Sequence, residues 1–382
     1  MKILKIILIV IFSLLLAVSG GLLAYGIINP ASTQDGDETG IGEPPDMALF
    51  EGEKHSDVSL IFGDKSATPE HKATDLMIQV AYNLINIKQF YFSARVDVKA
   101  GTQTAFSDYN YTRKGLNTFK RVHAYTGKLN TFVLRCYYID QRLETTGLAE
   151  YDSDTGAWSY PTDPSKKQSA TLSKSNESPY YYYGTLDFPL DFGGKDAAIA
   201  DESKRSDAID YTLIDPDSVV LTENTKGGYY SLEFKVLASK LDASEEIRYR
   251  FADTTSGKNL DGSLRMKLDH FVDDFTVKAE IWKESGVFRT ISYETKVNAT
   301  TGGENGDSTI TKTLNFSYDD ENCSVARKIM SVKGSKNAPV YYNALNAANK
   351  AICDAEIKAL DEAAAKKAAE SADSEEKDSD KD

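Results

Sequence analysis

Apolar and polar residues alternate along much of the chain, and a period of two is typical of half-buried antiparallel strands. The alternation is strict over residues 92–99 and continues over 118–125 and 131–141. A second series begins after residue 225 and ends at residue 318. These segments predict roughly nine to eleven strands at short spacing. The expected fold is α+β and mainly antiparallel β, with one large curved sheet or half-barrel.

Two segments have the period of a helix instead. Residues 69–90 place apolar side chains at i, i+3, i+4 and i+7, which predicts an N-terminal helix that packs against the sheet. Residues 340–367 are rich in Ala, Lys and Glu and carry only a narrow apolar stripe. The narrow stripe predicts a C-terminal helix that either packs weakly or pairs with a partner protein.

The N-terminus begins with a long apolar run. Lys2 and Lys5 precede residues 6–28, which contain no charged side chain. Such a run is long enough to cross a hydrocarbon core of about 30 Å as a helix. The positions of the lysines predict that the N-terminus lies in the cytoplasm and that the remainder of the chain lies outside it. Cleavage near the small residues 17–19 is the alternative, and it would release a secreted protein.

Changes in composition divide the chain into five segments. A transmembrane signal-anchor is expected over 1–28, and a flexible acidic linker over 29–67. The curved β domain is expected over 68–325, with an insertion at 162–212 that is rich in Ser, Lys and Thr and then in aromatic residues. A C-terminal helical segment over 326–370 precedes an acidic tail, 371–382, which is predicted to be disordered.

The charge and the reactive residues exclude several classes of function. The formal net charge is −14, which argues against a nucleic-acid-binding protein because neutralising phosphates requires clustered Lys and Arg. Four scattered His residues and the absence of a known catalytic motif give no reason to expect an enzyme, a cofactor or a metal site. Residues 152–156 resemble the start of a calcium loop, but the spacing of the following residues favours a hairpin turn.

An aromatic cluster inside the insertion is the candidate ligand-binding site. Tyrosine combines an apolar ring with a polar hydroxyl, so it suits both the rim of a pocket and a protein interface. Ordinary packing of the insertion over the sheet is the alternative interpretation. The candidate residues are Tyr180, Tyr181, Tyr182, Tyr183, Phe188 and Phe192.

The three cysteines allow more than one redox state. Cys136 falls on an alternating strand and is expected to be buried. Cys323 and Cys353 flank the junction to the last helix, where they could form a bridge outside the cell or remain unpaired thiols.

The order of the predicted elements resembles that of a known superfamily. The predicted N-terminal export segment is followed by an amphipathic helix. At residues 84–96 this helix leads directly into a strand of alternating apolar and polar residues. Over residues 68–325 this order resembles the half-barrel of the bacterial lipoprotein-carrier superfamily, which includes mycobacterial lipid-carrying lipoproteins. The resemblance implies a curved sheet wrapped over a helix, with an apolar cavity for acyl chains. The chain departs from that pattern because it lacks a lipid-modified cysteine and has a long C-terminal helix and tail, so no residue role is carried over.

Three functions are compatible with these patterns. The first is a membrane-anchored extracytoplasmic protein that binds an apolar ligand such as a lipid or lipopeptide. The second is a cell-surface assembly or scaffold protein that contacts a protein partner through residues 340–367. The third is an extracellular hydrolase that uses carboxylates, for which the sequence places no facing pair.

Overall fold

The computed structural model describes residues 42–50, 57–100, 103–125, 130–139, 141–148, 150–152, 157–159, 171–173, 210–243, 248, 267–301, 304–333 and 340–379. The apolar segment 6–28 and the aromatic cluster of the insertion lie outside these residues. Among the described helices, none is long and apolar enough to cross a membrane.

Fourteen strands are present in the described part of the chain, and twelve of them form one antiparallel sheet. The remaining two, β6 and β7, pair with each other. In chain order the strands are β1 (Gln89–Ala100), β2 (Gln103–Lys114), β3 (Asn117–Tyr125), β4 (Asn130–Tyr138), β5 (Gln141–Leu148), β6 (Glu150–Asp152), β7 (Ala157–Ser159), β8 (Thr171–Ser173), β9 (Val220–Asn224), β10 (Tyr229–Val236), β11 (Lys267–Phe271), β12 (Phe275–Trp282), β13 (Phe288–Thr301) and β14 (Glu304–Ser317).

The large sheet consists of two meanders that meet at its centre. Its strand order is β8-β5-β4-β3-β2-β1-β14-β13-β12-β10-β9, and β11 pairs with the far end of β13. The first and last long strands, β1 and β14, are therefore direct neighbours, with Phe92 opposite Phe316. The sheet is open, with β8 and β9 at its two edges. This architecture confirms the predicted α+β, mainly antiparallel fold.

Seven α-helices flank the sheet within the described residues. Three short 3₁₀ turns, Met47–Leu49, Tyr211–Leu213 and Pro216–Ser218, add to them. The helices are α1 (Val58–Gly63), α2 (Pro69–Asn86), α3 (Ala238–Leu241), α4 (Asp320–Cys323), α5 (Val325–Lys333), α6 (Val340–Ala344) and α7 (Ala347–Ser379).

Helix α2 is the predicted packing helix, and it is buried on more than one side. Pro69 occupies its first turn, where a missing N–H costs nothing. Its apolar stripe, which includes Leu76, Val80 and Leu84, belongs to the same core as the sheet. Thr74 and Asn83 are also fully buried, so helix α2 is covered by other parts of the chain as well as by the sheet.

The pairing register defines the face of the sheet on which helix α2 lies, which we call the α2 face. Directly paired residues of an antiparallel ladder share a face. Ala94 pairs with Leu314, Leu314 pairs with Ile291, and Ile291 pairs with Ala279, all of them buried. This face continues to Tyr230 on β10, whose ring stacks on Phe62 of helix α1 at 4.1 Å.

The C-terminal helices cover the opposite face, over β1 to β4. Thr112 pairs with Phe119, and Phe119 pairs with Cys136, which places these three residues on the face away from Phe92. Lys328 of helix α5 lies 4.5 Å from the ring centre of Tyr91 on that face. The Tyr138 hydroxyl donates a hydrogen bond to Glu356 of helix α7 at 2.8 Å. Strands β1 and β2 are therefore buried on both faces, with Phe92 and Tyr111 on one side and Thr112 on the other.

Helix α4 connects the C-terminal helices to the sheet through hydrogen bonds. Asp319 caps the helix by accepting a hydrogen bond from the Asn322 N–H at 2.8 Å. Lys114 of β2 donates to Asp320 at 2.6 Å, and Gln89 of β1 donates to the same carboxylate at 3.1 Å. The hydrogen bond from Lys114 has the largest effect and lowers the pKa of Asp320. Burial acts in the opposite direction, and the bond from Gln89 lowers the pKa further.

The structure differs from the expected segment boundaries at both ends. Residues 42–50 and 57–67, which were expected to belong to the linker, contribute the buried side chains of Phe50 and Val58 to the core. The predicted helix 340–367 is two helices that break after Ala344, and the Asn346 side chain caps the second by accepting a hydrogen bond from the Asn349 N–H at 2.8 Å. Helix α7 also continues to Ser379, into the expected tail, since extending an existing helix is easier than nucleating one.

Candidate ligand-binding site

Four polar side chains interrupt the apolar rows of β13 and β14 on the α2 face. We call this group the polar patch. The neighbouring residues of these rows are apolar, and they include Ile291, Val297, Ile310 and Leu314. Its members are Tyr293, Thr295, Ser308 and Lys312.

The four residues are adjacent by register. Tyr293 pairs directly with Lys312, Thr295 pairs with Ile310, and Ser308 pairs with Val297. Thr295 is therefore diagonal to both Lys312 and Ser308. Directly opposite side chains have Cβ atoms about 4.5–5.5 Å apart, and diagonal ones are about 7–8 Å apart. Thr295 lies between Ser308 and Lys312 along the ladder, so a small polar group beside Thr295 is within reach of the Ser308 hydroxyl and of the long Lys312 side chain.

Burial removes the polar patch from water. Lys312 and Ser308 are each 1 % exposed, and Thr295 is 5 % exposed. The hydroxyls of Thr295 and Ser308 are buried and have no hydrogen-bond partner among the described residues. An unmade hydrogen bond of this kind costs about 1–3 kcal/mol, and native proteins rarely retain one without a reason. Both hydroxyls can donate to, or accept from, a group placed between the sheet and its cover.

Aromatic rings line one side of the polar patch. The Tyr293 ring lies 5.8 Å from the ring of Phe275, and Phe275 lies 5.7 Å from Phe271. All three residues are buried on the same face. The patch therefore combines a positive charge and hydroxyl groups with an apolar wall, which is the composition of a site for an amphipathic ligand.

A second polar cluster joins helix α2 to the segment before β9. The Tyr211 hydroxyl donates to Asp75 at 2.9 Å, and its ring stacks on His71 at 3.8 Å. Burial raises the pKa of Asp75 despite the hydrogen bond from Tyr211. Burial and the bond to Asp75 raise the pKa of Tyr211 to about 12. The hydrogen bond and the ring stack hold helix α2 and the segment before β9 together.

The cysteines and the acidic residues provide no further site in the described part of the chain. Cys136, Cys323 and Cys353 are buried free thiols, so no Cys323–Cys353 bridge is present. Burial raises the pKa of Cys136 and Cys323 far above the usual range, which suppresses the reactive thiolate. No group of three or more His, Cys, Asp or Glu side chains is arranged to hold a metal ion there.

The site predicted from the sequence and the site found in the structure are different. The aromatic cluster of the insertion falls within residues 174–209, outside the described residues, and remains a prediction. The hydrophobic pattern of the sequence does not predict the polar patch. Its one signal in the sequence is Lys312, which stands at an inward position of the row Ile310, Leu314 and Phe316.

The first part of the C-terminal helical segment packs against the sheet of the same chain. Gln141 accepts hydrogen bonds from the Asn346 N–H at 3.0 Å and from the Asn349 amide at 2.9 Å. Leu345 and Cys353 are buried, whereas residues 361–369 are exposed on all sides of helix α7. That outer part has no apolar stripe, whereas Ile352, nearer the start of helix α7, is an apolar side chain that is 44 % exposed.

Comparisons with known proteins give weak likenesses. No protein-family model and no curated protein matches the chain. A solved DUF1329 family protein from Desulfovibrio piger is 11 % identical, covers 68 % of this chain and 99 % of its own, and has a TM-score of 0.18. The MucA/MucB complex of Pseudomonas aeruginosa gives 8 % identity, coverage of 65 % and 99 %, and a TM-score of 0.18. At these TM-scores the likenesses carry no argument about function.

Proposed function

We propose that the protein is an exported, membrane-anchored binding protein for an amphiphile with an anionic head group. The polar patch carries this proposal, because it places the hydroxyls of Thr295 and Ser308 beside Lys312 on an otherwise apolar surface. A carboxylate or phosphate would accept hydrogen bonds from both hydroxyls and attract the ammonium group of Lys312. The apolar part of the ligand would lie against Phe275 and its neighbours.

The proposed location rests on the N-terminal sequence. The uncharged run 6–28 follows Lys2 and Lys5, and the next basic residue is Lys54. A protein anchored by this run would present its sheet outside the cytoplasm. If the run is cleaved, the same domain would be secreted, and the proposed binding activity would be unchanged.

Replacing Lys312 by methionine tests the head-group contact. The side chain keeps a similar length but loses its charge. A charge-assisted hydrogen bond contributes about 1.5–3 kcal/mol, which corresponds to roughly a ten- to hundredfold loss of affinity. We expect this loss for a fluorescent long-chain fatty acid and little change for its methyl ester, measured by titration of the full chain.

Two further variants test whether the loss of affinity is specific to the polar patch. Lys278→Met removes a lysine that is exposed on the opposite face and paired with Glu233, so it is expected to bind like the unmodified chain. Thr295→Val removes a hydroxyl that has no partner among the described residues while keeping the shape of the side chain. It is expected to fold normally and bind the fatty acid more weakly. Equal affinity of a folded Lys312→Met variant and the unmodified chain would contradict the proposal.

A further inference from the structure

Two apolar side chains stand exposed on neighbouring hairpin turns. Leu116 lies in the turn between β2 and β3 and is 61 % exposed. Ile139 lies in the turn between β4 and β5 and is 37 % exposed. Both turns have two central residues, since Lys114 pairs with Asn117 and Tyr138 pairs with Gln141.

The backbone of Ile139 has a conformation that is unfavourable for a β-branched residue. Its φ is +59°, the same as that of Gly115 at the equivalent position of the other turn. Glycine takes this conformation without a steric penalty, whereas a β-branched side chain is disfavoured there. Ile139 is the single residue other than glycine with positive φ in the described chain. An unfavourable residue kept on the surface points to a role outside the fold.

The two turns form one rigid surface. The Ile139 N–H donates a hydrogen bond to the side chain of Asn117 at 2.8 Å, which ties the β4–β5 turn to the base of the β2–β3 turn. The Gly115 N–H donates to the carbonyl of Lys88 at 2.8 Å, which fixes the β2–β3 turn to the start of β1. Leu116 and Ile139 are therefore presented together.

The N-terminal part of the chain joins the sheet at the same end. The Gly42 N–H donates to the carbonyl of Phe316 at 3.1 Å, near the end of β14. In the sheet that end lies beside the start of β1 and the end of β2. Residues 29–41 separate it from the apolar run 6–28 and can span at most about 45 Å when fully extended.

We propose that Leu116 and Ile139 insert into the surface of the same bilayer that holds the N-terminal anchor. This inference rests on the membrane anchoring proposed above. The short connection keeps the two turns near the bilayer, so two aliphatic side chains suffice for a contact that would be weak without the tether. The protein would then stand on the membrane with the strands rising from it, and amphiphiles would reach the sheet directly from the lipid.

The test places a tryptophan at the proposed contact. The full chain carrying Leu116→Trp is reconstituted into phosphatidylcholine vesicles with and without brominated lipids, which quench tryptophan on contact. The fluorescence that the new tryptophan adds to that of the unmodified chain is expected to be mostly lost in brominated vesicles. Val220→Trp on edge strand β9, where Val220 is 55 % exposed, serves as the control and is expected to remain bright.

The Ile139→Gly variant distinguishes a role of Ile139 in membrane contact from a role in the stability of the fold. In the Leu116→Trp background this change relieves the strained backbone, so we expect the melting temperature to rise by about 2 °C. We also expect weaker quenching, because half of the apolar contact is gone. A structural role for Ile139 would instead lower the melting temperature and overturn the inference.

Flotation of the vesicles distinguishes the two possible failures. A Leu116→Trp chain that floats with the vesicles, but whose added tryptophan fluorescence is not quenched, refutes the contact and leaves the anchor intact. A chain that does not float refutes the anchor, and this inference falls with it.

Discussion

Replacing Gly286 by alanine is expected to destabilise the protein by about 3 kcal/mol or more. Gly286 has a φ of +58°, which costs a residue with a Cβ about 1–2 kcal/mol. A Cβ there would also lie 2.6 Å from the amide nitrogen of Asn83 and 2.8 Å from a methyl group of Val58. Asn83 would lose its buried hydrogen bond to the Gly286 carbonyl, which is 3.0 Å long.

Gly115→Ala is the matched control for this prediction. Gly115 has a φ of +59°, but a Cβ there meets nothing within 4 Å. Urea unfolding of the two variants should give a loss of about 1–2 kcal/mol for Gly115→Ala and a clearly larger loss for Gly286→Ala. Equal losses would show that helix α2 does not pack against the β12–β13 turn as described.

Two truncations of helix α7 are expected to differ strongly. Removing residues 362–382 should change the free energy of unfolding by less than about 0.5 kcal/mol, because residues 362–369 are exposed and the Arg327–Asp361 ion pair is kept. Removing residues 340–382 should cost at least about 3 kcal/mol, since it uncovers Cys136 and deprives Tyr138 and Gln141 of their partners.

Thermal and urea unfolding of both truncated proteins measure this difference. If the protein lacking residues 340–382 is as stable as the full chain, the C-terminal helices do not contribute to the stability of the sheet. That result would favour the alternative function, in which the segment 340–367 binds a partner protein. A stable protein lacking only residues 362–382 would show that the outer part of helix α7 is not needed for the fold.

The sheet and helix α2 could be predicted because each buries one face. Residues 92–99 alternate strictly since one side of β1 faces the core, and the stripe of helix α2 repeats with the period of its contact surface. The pattern does not reveal which face each helix covers. That depends on the register across several strands, which relates Thr112 to Phe119 and Phe119 to Cys136.

Other features depend on single residues that carry no periodic signal. Phe50 and Val58 hold part of the expected linker in the core, and the short apolar runs around them are too brief to show a period. The break between helices α6 and α7 depends on Asn346, whose side chain caps helix α7. The polar patch required knowledge of the pairing between β13 and β14, because Thr295 and Ser308 each resemble an ordinary strand residue in the sequence.

Native mass spectrometry of the full chain tests the central claim most directly. The chain is released from membranes with a detergent that has an uncharged head group, and any bound molecule is then extracted and identified. The account predicts one bound amphiphile with a carboxylate or phosphate, present on the Lys278→Met variant and lost from Lys312→Met. A chain that stays unliganded after incubation with a membrane lipid extract would contradict it.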